Sequence, residues 1–168
     1  MKVDYSAVLK TSKFLLRNYD SSLSFKSIGD CMLPFYQSGD VLIVKEKLDY
    51  KVGEVILAIN EDRLIAHRVL DYSNGKYLIK GDNSFAAEVV RTSDIIGAVI
   101  YQIRNNYKIS YKIPSDIIKK ITELSFDLNT VFIKCGNNVE KAMCTSEYKL
   151  LKSFLLSINT ELYVVDFE

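Results

Sequence analysis

The chain has no tryptophan, one histidine, two prolines and three cysteines among its 168 residues. One histidine and three scattered cysteines cannot build a familiar zinc site or a disulfide framework. No metal or other cofactor is therefore called for, and a reduced, cytoplasmic compartment is expected. An excess of one charge is missing too: 22 basic residues face 21 acidic ones, which leaves no footprint for nucleic acid or an anionic membrane. Long apolar runs are also lacking. The opening stretch MKVDYSAVLKTSKFLLRNYD carries a charge every few residues, so neither a signal peptide nor a transmembrane segment is expected. Internal repeats and low-complexity tracts are absent.

What remains is an ordinary globular composition, 48% hydrophobic and 26% charged, in a length that suits one domain with a small appendage. Val8, Leu9, Leu15 and Leu16 recur at roughly helical spacing, which predicts an N-terminal helix packed on the body. After Asp40 the period changes to that of strands, at Val41–Lys45, Glu54–Asn60, Arg63–Leu70, Tyr77–Lys80, Ile95–Ile103 and Tyr107–Ile113. Glu61-Asp62, Asn74-Gly75 and Asn105-Asn106 punctuate these runs as hairpin turns. Beyond Pro114 the stripe Ile117, Ile118, Ile121 and Leu124 predicts a helix over 116–124. A second helix is expected near Ser146 to Leu156, and a strand over Glu161–Asp166. The expected fold is mainly β (α+β), with an N-terminal helical segment over 1–24, a β core over 25–113 and a C-terminal α/β appendage over 114–168.

Chemistry can live in three places. The stretch SIGDCMLPFYQSGD, Ser27 to Asp40, sets Cys31 between Gly29 and Pro34, two residues that constrain a loop's shape. A thiol there is either a displayed nucleophile or a small buried hydrophobe. His67, the sole histidine, lies in an apolar strand whose alternation puts Arg63, Ile65, His67 and Val69 on one face. It can serve as a general base, or as a structural residue with satisfied hydrogen bonds. The third place is Lys80-Gly-Asp-Asn83, with Glu88 shortly after, where a carboxylate can orient the imidazole or merely cap a turn.

Taken in order, the boxes Gly29-Asp-Cys-Met-Leu-Pro34, Gly39-Asp40, Gly53-Glu-Val55, His67-Arg-Val69, Lys80-Gly-Asp-Asn83 and Ile95-Ile-Gly-Ala-Val99 resemble the pattern of signal peptidase I-like proteases. Those belong to the superfamily that includes the LexA-type repressors. The resemblance spans roughly residues 25 to 104 and implies a catalytic core of coiled antiparallel β-sheet. It places His67 with the members that use histidine where others use lysine. By position Asp82 is its best match for the family acid, with Glu88 second. Cys31 stands where the family keeps its nucleophilic serine, and a membrane anchor like the family's is not expected.

The resemblance implies an endopeptidase that cuts a peptide bond in a precursor or leader peptide. Cys31 would attack, His67 would move the proton, and Asp82 or else Glu88 would orient the imidazole. Substrate would lie against Met32, Leu33 and Pro34 and add as a strand beside Val41–Lys45. The alternative is a catalytically inactive, peptide-binding or regulatory member of the same fold, because a larger sulfur changes the distance to the oxyanion donors. A peptide or protein is thus the expected partner, and nucleic acid is not. Self-cleavage is disfavoured, since no Ala-Gly pair of the kind cut in the LexA-type relatives occurs. Cys135 and Cys144 lie outside the resemblance and read as structural. Residues after Ser115 are left to form a lid, a homo-oligomer contact or a partner surface.

Overall fold

The computed structural model describes residues 3–19 and 21–166. Residues 1 and 2, 20, 167 and 168 of the expected terminal segments lie outside the described residues. Helix α1, Tyr5–Tyr19, forms where expected and sinks Leu16 into the sheet surface beside Val44, Leu57 and Ile96. The strands are β1 (Leu23–Lys26), β2 (Val41–Lys45), β3 (Val55–Asn60), β4 (Arg63–Ser73), β5 (Lys76–Lys80), β6 (Ala87–Arg91), β7 (Ile95–Arg104), β8 (Tyr107–Tyr111) and β9 (Val164–Asp166). All pairings are antiparallel, in the order β1-β2-β7-β3-β4-β5-β6, and the sheet curls into a half-barrel. Strands β8 and β9 extend it from β7. The molecule is thus mainly β, with helices at both ends of the chain.

The predicted turns occur as hairpins, with positive φ at Glu61, Asn74, Asn105 and Asn106. Three of these four are asparagines, which tolerate the left-handed region better than most residues. Two strands were not predicted. Leu23-Ser-Phe-Lys26 is only four residues long, and Ala87-Glu-Val-Val-Arg91 carries two charges in five. Helix α2 runs from Ser115 to Lys134, ten residues beyond the expected end, because Leu128 and Phe132 continue the buried stripe of Ile121 and Leu124. A short α3 (Val139–Met143) precedes α4 (Ser146–Ser157), whose Leu151 and Leu155 close a second core with Ile121, Leu124, Leu128 and Phe35. The expected terminal strand over 161–166 is a 3-10 turn, Thr160–Tyr163, followed by β9.

One expectation is overturned by the pairing. Strand β2 is hydrogen-bonded to β1 on one side and β7 on the other, so Val41–Lys45 has no edge for a substrate strand to join. Among the described residues, the edges without a strand partner on this side of the sheet are the outer edge of β1 and the first half of β4. There, residues 63–67 pair with β3 alone, and pairing with β5 begins at Arg68.

Candidate active site

Residues 27–40 form a closed loop between β1 and β2. Its neck is sealed by Ser27 N–H to Asp40 O (2.7 Å) and Gly39 N–H to Ser27 O (3.0 Å). Gly29 turns the chain at φ +90°, a conformation that a side chain would oppose, and delivers Cys31 to the first position of a compact turn. Leu33 N–H donates to Asp30 O and Tyr36 N–H to Met32 O within that turn, and the Leu33–Pro34 bond is cis. Below it Phe35 is fully buried, and its carbonyl accepts from Tyr111 Oη (2.8 Å), Gln102 Nε2 (3.2 Å) and Arg104 Nη2 (3.2 Å). Arg104 in turn forks onto the buried Asp40 carboxylate with two bonds of 2.8 Å. The loop carrying the cysteine is therefore pinned from beneath by β7 and β8.

Strand β4 brings up His67. In the ladder Ile56 faces His67 and Val55 faces Arg68, so these two neighbours point to opposite faces. His67 is buried to 8% exposure, and its Nδ1 lies 3.1 Å from Glu88 Oε2. The ring N–H is not aimed along that line, so the contact is chiefly electrostatic. The other oxygen, Glu88 Oε1, accepts from Arg63 Nη2 at 2.9 Å. Burial opposes charge on the imidazole, but the neighbouring Cys31 side chain and the Glu88 carboxylate outweigh it and push its pKa up to about 9. Glu88 is correspondingly held below the ordinary carboxylate range, first by His67, against burial, and further by Arg63. Because Nδ1 faces Glu88, Nε2 is the nitrogen left for the sulfur.

Arg68 serves a different purpose. Its Nε and Nη2 fork onto Asp82 at 2.8 and 2.6 Å, Nη1 donates to Gly53 O at 2.7 Å, and the guanidinium lies over the Phe35 ring. Both members of the pair are sealed, at 2% and 1% side-chain exposure. Of the two carboxylates expected near the imidazole, Glu88 is the one that reaches it, and Asp82 is committed to Arg68. Lys80 is wholly buried, with Nζ on Gly81 O and 3.4 Å from Ser125 Oγ; burial pushes its pKa down to about 8, against the pull of Asp82.

The Lys80-Gly-Asp-Asn83 turn seats itself directly on the cysteine loop. Asn83 N–H donates to Cys31 O (2.8 Å) and Asn83 Nδ2 to Asp30 O (3.1 Å). A Cβ on Gly81 would lie 2.7 Å from Cys31 O, closer than real Cβ contacts come, and a tight 3.0 Å from Cys31 Cβ, so the approach needs glycine.

Cys31 and His67 open together onto a cleft of about 450 Å³, within the usual size of a ligand site. Its walls are the two unpaired edges, Phe25–Ile28 and Arg63–His67, and its lining includes Met32, Tyr36, Leu42 and Leu57. Met32 borders the cleft, whereas Leu33 and Pro34 are not among its lining residues. A wider groove of about 860 Å³ at the start of α1 is bordered by Asp4, Glu61, Asp62 and Asp94 and contains neither Cys31 nor His67. Among the described residues no group of histidine, cysteine and acidic side chains could hold a metal ion, and no helix is long and apolar enough to cross a membrane.

Sequence reasoning did not single out Arg63, although alternation had already put it on the face of His67. It also missed Asn129 and Lys152, helical residues that bond to Ala87 N–H and Asn83 Oδ1 and carry no local signal. A family model described as Peptidase S24-like matches residues 4–100. No curated protein matches the chain.

Proposed function

The chain belongs to the Peptidase S24-like family, and on that premise we propose that it is an endopeptidase with Cys31 as nucleophile, His67 as base and Glu88 as the carboxylate that orients the base. The observation that carries this reading is His67 held between the Cys31 side chain and Glu88 at the mouth of a cleft walled by two unpaired strand edges. An extended peptide laid between Phe25–Ile28 and Arg63–His67 would hydrogen-bond to both edges, with apolar side chains against Met32, Leu42 and Leu57.

In this mechanism the proton already rests on His67, in keeping with its raised pKa, and the Cys31 thiolate that this leaves bonds through Sγ to the scissile carbonyl carbon. The Cys31 backbone N–H faces the developing oxyanion. Collapse breaks the C–N bond, and the proton on Nε2 passes to the leaving amine. Water then gives its proton to His67 while its oxygen attacks the thioester, and the acid product leaves as the thiolate–imidazolium pair is restored. Throughout, Glu88 compensates the imidazolium charge, and Arg63 steadies Glu88. The three free thiols suit a reducing compartment such as the cytoplasm, with a leader or precursor peptide as substrate.

The test is to incubate the protein with a pool of end-blocked peptides and read new termini by mass spectrometry. Cleavage by the wild type that is lost in both Cys31→Ala and His67→Ala supports the reading. Cleavage that survives Cys31→Ala overturns it, and binding without cleavage in the wild type marks a peptide-binding module instead.

A further inference from the structure

The residues that carry the site's two ends are each fastened to the C-terminal helices, which lie beyond the stretch matched by the family model. On α4, Lys152 Nζ donates to Asn83 Oδ1 at 3.0 Å. That bond fixes which way the Asn83 amide faces: with Oδ1 on the ammonium, Nδ2 is presented to Asp30 O, while the Asn83 backbone N–H holds Cys31 O. A flipped amide would set Oδ1 against the Asp30 carbonyl and leave the ammonium facing an NH2 group. On α2, Asn129 Oδ1 accepts from Ala87 N–H at 2.8 Å, the residue before Glu88 and the first of edge strand β6. The two helices act as one block, because α2 and α4 share the core of Ile121, Leu124, Leu128, Leu151 and Leu155. Tyr148 of α4 also stacks on Phe85 of the intervening loop, with ring centroids 5.2 Å apart.

We propose that the C-terminal helices are part of the active site, with Lys152 positioning the Cys31 loop through Asn83 and Asn129 positioning Glu88 through the start of β6. The inference rests on the Cys31–His67–Glu88 reading and adds that residues 114–158 align the two ends of that set with each other. Neither residue touches the cleft, so both act through others. Small displacements of a nucleophile or its base are costly, and a block that ties both ends together removes that freedom.

The test reads Cys31 alone. Iodoacetamide labelling is followed on the Cys31 peptide by mass spectrometry, with exposed Cys144 as internal control. Lys152→Met is expected to slow Cys31 labelling at pH 7 by about tenfold or more relative to Cys144, and Lys152→Arg, which can still donate to Asn83, to restore it to within about twofold. Asn129→Leu is expected to lower the NMR titration midpoint of His67, the sole histidine, whereas Asn129→Asp, which still accepts from Ala87 N–H and adds a negative charge, does not lower it. Unchanged Cys31 labelling in Lys152→Met, or an unchanged His67 midpoint in Asn129→Leu, overturns the inference. His67→Ala separates the two levels. If it slows Cys31 labelling while Lys152→Met does not, the dyad stands and the positioning role falls; if it has no effect, both fall.

Discussion

Two adjacent residues of one strand, His67 and Arg68, each take a carboxylate from the β5–β6 region and put it to opposite use. Arg68 and Asp82 are sealed, doubly bonded and stacked on Phe35. His67 and Glu88 meet through a single poorly aimed contact beside a cleft, with one oxygen shared with the partly exposed Arg63. The first pair is built not to change. On the proposed mechanism, the second has a proton to move and a partner sulfur to move it with. A strand's two-residue period is what keeps them apart, since it sends neighbouring side chains to opposite faces.

The comparison can be broken first at the sealed pair. Arg68→Met leaves the Asp82 carboxylate buried without a partner, and chemical denaturation should show a loss of about 3–5 kcal/mol. His67→Ala should reverse the pattern, lowering peptide cleavage by about 10²-fold or more while leaving stability within about 1–2 kcal/mol of wild type. If Arg68→Met were harmless and His67→Ala unfolded the protein, the two pairs would have exchanged roles.

Gly81 tests the seating of the Asp82 turn against the cysteine loop. A Cβ there meets Cys31 O and Cys31 Cβ, so Gly81→Ala should cost about 1–3 kcal/mol and slow Cys31 labelling more than labelling of Cys144. Stability against pH sharpens the contrast further. The His67 pKa is raised from 6.5 to about 9. Its contribution is therefore full below pH 6.5 and is lost as pH rises through about 9. Lys80 runs the other way, because its pKa falls from 10.5 to about 8, so the penalty of burying its charge is relieved between those values. Melting temperature should thus fall from pH 6.5 toward 8 in the wild type and stay flat over that range in His67→Ala. The smallest effect is expected from Lys80→Met, which removes a buried charge that has no carboxylate hydrogen-bonded to it and gives up only its contacts with Gly81 O and Ser125 Oγ. At pH 7 it should be neutral or stabilising by up to about 1 kcal/mol.

Much of the sheet could be read from turns and alternation, because Asn74-Gly75 and Asn105-Asn106 fix hairpins locally. The cleft could not. One of its walls is β1, whose four residues carry too little pattern to declare a strand. The order of the acids was legible only in part. Asp82 lies in the box that resembles the family's, but its placement follows from Arg68 facing away from His67. Glu88 reaches the imidazole because β6 folds back on β5, a pairing that Ala-Glu-Val-Val-Arg does not announce. The helical ties at Asn129 and Lys152 are contacts across 42 and 69 residues of sequence, beyond any local signal.

The central claim is that Cys31, His67 and Glu88 work as one unit, and the sole histidine allows a direct measurement. An NMR titration of His67 should give a midpoint far above 6.5, toward about 9, and that midpoint should fall in both Glu88→Gln and Cys31→Ala. A wild-type midpoint near 6.5, or one that neither substitution moves, would contradict the account.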